Sequence, residues 1–182
     1  MAERHNSGVN IKRIEKLSIV SLKVSSKLLD DASDRLQLAS PQSAIGGDPR
    51  SLWIGPDRWL IVSSSMSAES LLKKCEEALG DVLHNVVDNS AGLAVFRLTG
   101  SGVRDLLAAG CGIDFRDEKF PVGYCCRTRL AQIAVVIVAE GSEKFDVYVD
   151  RSYEKYLSDW LRDSLSISAR AGEVPYEPEA EV

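Results

Sequence analysis

The chain has little of what most enzyme sites are made from. It holds two histidines, His5 and His84, and His5 lies in a polar stretch at the start. Its four cysteines, Cys75, Cys111, Cys125 and Cys126, do not fall at metal-ligand spacing. The neighbours Cys125 and Cys126 face opposite ways in a strand, so both cannot easily grip one ion. They read as reduced, partly buried thiols of a reducing compartment. There is no Gly-x-Ser-x-Gly elbow, no His-Glu-x-x-His and no Gly-x-Gly-x-x-Gly, which removes three common catalytic or cofactor-binding signatures. A basic block is missing too. The 22 Lys and Arg against 27 Asp and Glu leave a net charge of −5, and without clustered cations a phosphate backbone finds no footing. No apolar run approaches the about 20 residues that span a bilayer. The opening Met-Ala-Glu-Arg-His-Asn lacks the apolar core of a signal peptide. These absences predict a cytoplasmic protein with no nucleic-acid or membrane partner.

What remains is ordinary globular composition, 45% hydrophobic and 27% charged over 182 residues, enough for one domain or a fused pair of small repeats. Residues 1–10 are polar and 171–182 are acidic and proline-containing, so both predict loose tails. Between them, 11–170 reads as a single α+β domain. Leu52 and Ile54, then Trp59 and Ile61, alternate around Gly55-Pro56-Asp57, the pattern of a β-hairpin. Residues 14–24 read as one strand, 28–38 as a short helix and 67–79 as a helix closed by Gly80. Strands follow at 82–87 and 92–98, then a helix over 101–109 closed by Gly110. Further strands are predicted within 124–138 and over 144–149. The last helix, 152–165, is capped by Asp150 or Ser152 and carries Tyr153, Tyr156, Leu157, Trp160, Leu161 and Leu165 on one face. That spacing predicts a buried Trp160.

Two halves of this pattern match at one constant offset. Gly55 falls on Gly141, Asp57 on Glu143, Arg58 on Lys144, Trp59 on Phe145 and Ile61 on Val147. Leu71, Cys75 and Leu79 fall on Leu157, Leu161 and Leu165 in the same register. Each half, about 11–89 and 92–170, therefore reads β-α-β-β-α-β, the ferredoxin-like arrangement, with helices packed on antiparallel sheets.

Few residues suggest chemistry. His84 sits in a predicted strand and suits packing better than base catalysis. Gly100 and Gly102 open a helix whose amides could meet an anion, but capping by Thr99 or Ser101 explains them better. Asp88-Asn89-Ser90 is either a site acid or an Asx turn, and the turn is the simpler reading. Trp53, Trp59 and Trp160 suit core or interface packing more than a ligand pocket.

Several segments in order carry a resemblance. They are Leu-Trp-Ile-Gly-Pro-Asp-Arg-Trp-Leu (52–60), Val-Asp-Asn-Ser-Ala-Gly (87–92), Arg-Leu-Thr-Gly (97–100) and Asp-Leu-Leu-Ala-Ala-Gly-Cys (105–111). Two more follow, Phe-Pro-Val-Gly-Tyr-Cys-Cys-Arg-Thr-Arg-Leu-Ala (120–131) and Phe-Asp-Val-Tyr-Val-Asp-Arg-Ser-Tyr-Glu-Lys-Tyr-Leu-Ser-Asp-Trp-Leu (145–161). Together they resemble the γ subunit of heterotetrameric sarcosine oxidase, whose fold is similar to the N-terminal folate-binding domain of the glycine-cleavage T-protein. The resemblance implies a place beside α, β and δ subunits in an enzyme that oxidises sarcosine to glycine. It yields hydrogen peroxide and, with folate present, methylenetetrahydrofolate. It implies NAD and tetrahydrofolate on the α subunit, the flavins FAD and FMN on β and zinc on δ. It assigns this chain no catalytic, cofactor-binding or metal residue, so the expected role is to hold an oxidoreductase together. Tyr124, Arg127 and Arg129 are the expected interface anchors, since aromatic and arginine side chains concentrate at such centres.

The alternative is a stand-alone folate-dependent one-carbon enzyme like the T-protein. Such chains place carboxylates in the turn equivalent to 130–136, and Leu-Ala-Gln-Ile-Ala-Val-Val there has none. A folate-domain assembly factor for iron–sulfur proteins, marked by Lys-Gly-Cys-Tyr, fits worse. Here Val122-Gly123-Tyr124-Cys125 lacks the lysine and displaces the cysteine.

Overall fold

A computed structural model describes residues 8–25, 32 and 35–171, with side chains as far as 166. Among the described residues ten strands form two five-stranded sheets, and no helix is long and apolar enough to cross a membrane. The first sheet runs β1 (Asn10–Ile14), β7 (Leu93–Thr99), β10 (Lys144–Asp150), β9 (Ile133–Gly141) and β8 (Cys125–Leu130). The second runs β6 (His84–Asp88), β2 (Ser18–Val24), β5 (Arg58–Ser63), β4 (Arg50–Gly55) and β3 (Ala44–Ile45). All pairings are antiparallel. Within each sheet four strands follow the ferredoxin-like order, and a fifth, β8 or β3, is added at the edge.

Alternation of side chains along the strands builds four layers. Val20, Leu22, Trp59 and Ile61 of the second sheet turn outward to Leu71, Cys75 and Leu79 of α1 (Ala68–Leu79). Phe96, Leu98, Phe145 and Val147 of the first turn outward to Leu106 and Leu107 of α2 (Val103–Gly110) and to Leu157 and Leu161 of α3 (Glu154–Ala171). Between the sheets lie Ile19, Leu52, Leu60, Val95, Val136, Val138 and Tyr148. A layer of this kind, apolar on both faces, is why β9 reads as a near-continuous apolar run rather than an alternation.

The matching hairpins occupy equivalent places. Gly55 pairs with Arg58 and Gly141 with Lys144, and each hairpin has a register shift beside that pair. At the first, Asp57 takes φ 60° behind Pro56, a turn that suits a short polar side chain. Helix α1 starts where Ser67 accepts from the Ser70 amide, and Gly80 closes it at φ 52°.

Several expectations need correction. The single strand over 14–24 is two: a turn with Lys16 at φ 58° separates β1 from β2, and they enter different sheets. Asn10 already pairs with Thr99, so the first tail ends before it. Residues 1–7 and 172–182 lie outside the described residues, as does most of the helix expected over 28–38, of which Ala32, Arg35 and Leu36 are seen as helical. Strand β6 is displaced to His84–Asp88. Neither Thr99 nor Ser101 caps α2; its N-cap is Gly102, without a side-chain cap. Gly100 serves instead a close crossing: at φ 119°, a Cβ there would collide with the Gly8 carbonyl. Helix α3 runs to Ala171, preceded by a 3₁₀ turn, Arg151–Tyr153, whose cap is Asp150 accepting from the Ser152 amide at 2.9 Å. On it Leu157 and Leu161 are buried, Trp160 is half-buried, and Tyr153 and Tyr156 are exposed.

One carboxylate organises the passage from β5 to α1. Asp48 accepts from the Ser63 hydroxyl, from the Ser64 amide at 3.1 Å and hydroxyl at 2.8 Å, and from the Ser65 amide at 3.0 Å. The Ser63 hydroxyl bond, then that of Ser64, hold its pKa down at about 2 against 3.8. A depressed carboxylate stabilises the fold above its unfolded pKa and loses that contribution as pH falls through the folded value. Asp48 is exposed, so solvent screening reduces its share to about 1 kcal/mol. Asp48→Asn is therefore expected to lose about 1 kcal/mol at pH 7, a gap that closes between about pH 4 and pH 2 in urea titrations.

Candidate functional site

The two sheets are held together at one end and parted at the other. At the closed end Arg50 of β4 forms an ion pair with Glu140 of β9, the Cys125 thiol donates to the Trp53 carbonyl at 3.3 Å, and Ser43 bridges to Tyr124. At the hairpin end a cleft of about 300 Å³ opens between the sheets. Ser21, Ile54 and Leu60 form one wall, and Ala134, Val136 and Tyr148 the other. Arg127, Asp150 and Tyr153 stand at its margin. Asn89 crosses the floor, donating from Nδ2 to the Ser21 hydroxyl at 3.2 Å.

This arrangement divides the expected interface residues. Arg127 and Arg129 share the inner face of edge strand β8, since they pair with Val136 and Ala134, and both are exposed. Tyr124 does not join them. Its half-buried ring packs on Phe120 at 4.7 Å, on the helix side of the same sheet.

The turn Ala131-Gln132 between β8 and β9 has φ of 51° and 71° at its two residues, which is type I′ geometry without glycine. Its ties explain how it is held. The Ala131 amide donates to the Gly110 carbonyl at 3.0 Å, and the Tyr156 hydroxyl donates to the Ala131 carbonyl at 3.0 Å. No carboxylate lies in it. The cleft's acid is instead Asp150, whose pKa is lowered by the Ser152 hydroxyl and then the Ser152 amide. Sequence reasoning missed Asp150 and Tyr148 as cleft residues. The signal was the row Asp146, Tyr148, Asp150, polar on alternate positions of a strand whose other face is apolar. Asp146, buried in that row, is matched by Arg97 through two bonds of 2.7 Å, which raise the arginine's pKa. Burial also pushes the Tyr148 phenol far up, so it stays protonated.

The other candidates have structural partners. Asp88 accepts from the Ser90 amide at 2.9 Å and hydroxyl at 2.6 Å, the Asx turn of the sequence reading. His84 Nδ1 lies 2.6 Å from the Val82 carbonyl, and Trp59 donates to the Ala39 carbonyl at 2.8 Å. Cys125 and Cys126 face opposite sides, as alternation requires. All four cysteines are free and buried; burial pushes Cys75 up to about 11 and Cys125 and Cys126 up to about 12, so their thiolates are scarce. Among the described residues no group of three His, Cys, Asp or Glu could hold a metal.

Two facing sheets of ferredoxin-like order with helices on their outer faces form a fold shared with a sarcosine oxidase chain and with a glycine-cleavage T-protein. The fold matches a chain of the heterotetrameric sarcosine oxidase from Corynebacterium sp. U-96 in complex with pyrrole 2-carboxylate, with a TM-score of 0.82 and 22% identity over 95% of this chain and 89% of that one. It also matches glycine cleavage system aminomethyltransferase T from Bartonella henselae, with a TM-score of 0.62 and 12% identity over 85% of this chain and 45% of that one. Residues 34–167 match the sarcosine oxidase, gamma subunit family, and the chain belongs to that family. Among its relatives, sarcosine oxidase subunit gamma of Corynebacterium sp. (strain U-96) is 30% identical over 115 residues, 63% of this chain and 55% of that protein. The Arthrobacter sp. subunit is 29% identical over 115 residues, again 63% of this chain and 56% of that protein. The chain thus spans about half the length of these relatives.

Proposed function

We propose that this chain is a non-catalytic γ subunit of a cytoplasmic heterotetrameric sarcosine oxidase, supporting assembly with α, β and δ subunits. The family match over residues 34–167 carries the reading. In this reading FAD, FMN, NAD, zinc and tetrahydrofolate belong to the partner subunits. The complex demethylates sarcosine oxidatively to glycine, releasing hydrogen peroxide and forming methylenetetrahydrofolate when folate is present. The chain itself is one domain of two repeats, about 11–89 and 92–170, in which β1 from the chain's start completes the first sheet, the one built by the second repeat. What supports the assembly role is the chemistry of the cleft. It has neither a reactive thiol nor a base beside a nucleophile, and nucleophilic catalysis requires such a pair.

The test is co-expression with the neighbouring subunits. The chain is expected to co-purify at one copy per flavin-containing complex, and sarcosine turnover should fall when it is omitted. Elution alone from a fully assembled, active complex of the others would sink the proposal. The competing folate-enzyme reading draws on the T-protein-like fold. It is tested by titrating the isolated chain with tetrahydrofolate. A buried folate edge without its carboxylate leaves donors unpaired at about 1–3 kcal/mol each, so no saturable heat is expected.

A further inference from the structure

We propose that the open end of the inter-sheet cleft is the docking site for an acidic segment of a partner subunit, received between Arg127 and Arg129 on one sheet and Lys23 and Arg58 on the other. This rests on the assembly role above and names the surface that performs it.

The argument begins with pairing. Arg58, Arg127 and Arg129 have no carboxylate partner among the described residues, whereas every other arginine with a described side chain forms an ion pair within the chain. Arg127 lines the cleft, and the strand registers place Arg58 and Arg129 one step beyond residues that line it. Leu60 pairs with Ser21 and Arg58 with Lys23, so Arg58 and Lys23 share the face whose Leu60 and Ser21 line the cleft. They stand one two-residue step, about 7 Å, beyond those residues along the strands. On the facing sheet Arg129 stands the same step beyond Arg127, beside Ala134. All four cations are exposed. In a chain of net charge −5, unpaired guanidinium groups collected around one opening are a local reversal of the overall sign.

Two carboxylates stand nearby, Asp150 at the cleft margin and Asp57 in the β4–β5 turn, and they offset only half of these four cations. Apolar and aromatic surface completes the opening. Tyr153 at the margin is 49% exposed, and Val87, which pairs with Ser21 on the same face, is 50% exposed. Arginine and tyrosine around a partly apolar recess match the composition of interface centres. Carboxylates meet guanidinium groups in paired, directional hydrogen bonds, so an acidic segment with an apolar side chain for the recess fits best.

The full chain carrying Arg127→Glu and Arg129→Glu is co-expressed with the other subunits, with Lys73→Glu on α1 as the control. The double reversal is expected to reduce the chain retained in the complex by about tenfold or more, with an unchanged melting temperature. Lys73→Glu should be retained like the wild type. The milder Arg127→Gln, Arg129→Gln chain should bind more weakly and lose most of the salt dependence. A photo-crosslinking residue at Tyr153 should mark a partner peptide containing several Asp or Glu. Retention of the double reversal at the wild-type level overturns this surface while leaving the assembly role standing. A crosslink to a second copy of this chain, or to a partner segment without acids, does the same. Failure of the wild-type chain to join any complex removes the assembly role and this inference with it.

Discussion

Arg104→Ala is expected to cost about 3 kcal/mol of stability and to lower the melting temperature by about 10 °C. The loop from Cys111 to Tyr124 has little regular structure, and its backbone has to find partners elsewhere. Arg104 supplies them from the first turns of α2. Its Nη1 donates to the Phe115 carbonyl and, at 3.3 Å, to that of Phe120; its Nε donates to the Ser142 carbonyl at 3.0 Å. The guanidinium also lies 4.9 Å from the centre of the Phe145 ring. Nη2 rests against Asp117 as a charge contact rather than an aligned hydrogen bond. One side chain thus ties the loop to the β9–β10 turn and to the core. Alanine leaves part-buried carbonyls without donors, and bonds to charged donors are worth about 1.5–3 kcal/mol each but do not add fully. Arg104→Lys should recover only part of the loss, since an ammonium cannot serve three divergent carbonyls. Urea denaturation measures the cost, and hydrogen exchange should place the loosening in 111–124. A loss under 1 kcal/mol would show that the loop is held mainly by the packing of Phe115 and Phe120.

Local pattern made much of this fold legible. The Gly55 and Gly141 hairpins, the Gly80 cap of α1 and the opposed Cys125 and Cys126 follow from turn chemistry and side-chain alternation, which act over a few residues. The misreadings concern distance or phase. Nothing within 14–24 announces that β1 will pair with Val95–Thr99 while β2 pairs with β5, because pairing partners are long-range. Helical phase counted from Ser152 puts Tyr153 and Tyr156 on the stripe with Leu157 and Leu161. The 3₁₀ turn puts Tyr153 out of that phase, Tyr156 keeps it but stands at the exposed flank of the stripe, and the buried positions are Leu157 and Leu161 with Trp160 beside them. The exposure of Arg127 and Arg129 is legible from β8 alone. The place of Asp150 in the cleft is not, since the cleft exists only once the two sheets face each other.

Trp160 and Gly110 should be strongly coupled, which gives the second large effect. The Trp160 ring lies directly against the Gly110 backbone, and a Cβ at 110 would overlap two of its carbons and come within 3.1 Å of Leu130 Cδ1. Glycine at the last position of α2 is therefore kept for the close approach of α3, not only for ending a helix. Gly110→Ala is expected to cost about 1–3 kcal/mol by overpacking. That is after an offset of up to about 1 kcal/mol, since alanine is the better helix former. Trp160→Ala should cost about 2–3 kcal/mol, below the 3–5 of a fully buried tryptophan because the side chain is only half-buried. In the double variant the smaller residue at 160 makes room for the methyl at 110. Gly110→Ala should then be neutral or slightly stabilising, a coupling of about 1–3 kcal/mol. Four urea denaturation curves complete this cycle. Simple addition of the two losses would mean that α2 and α3 separate to relieve the clash, and that the contact does not set how closely the helices pack.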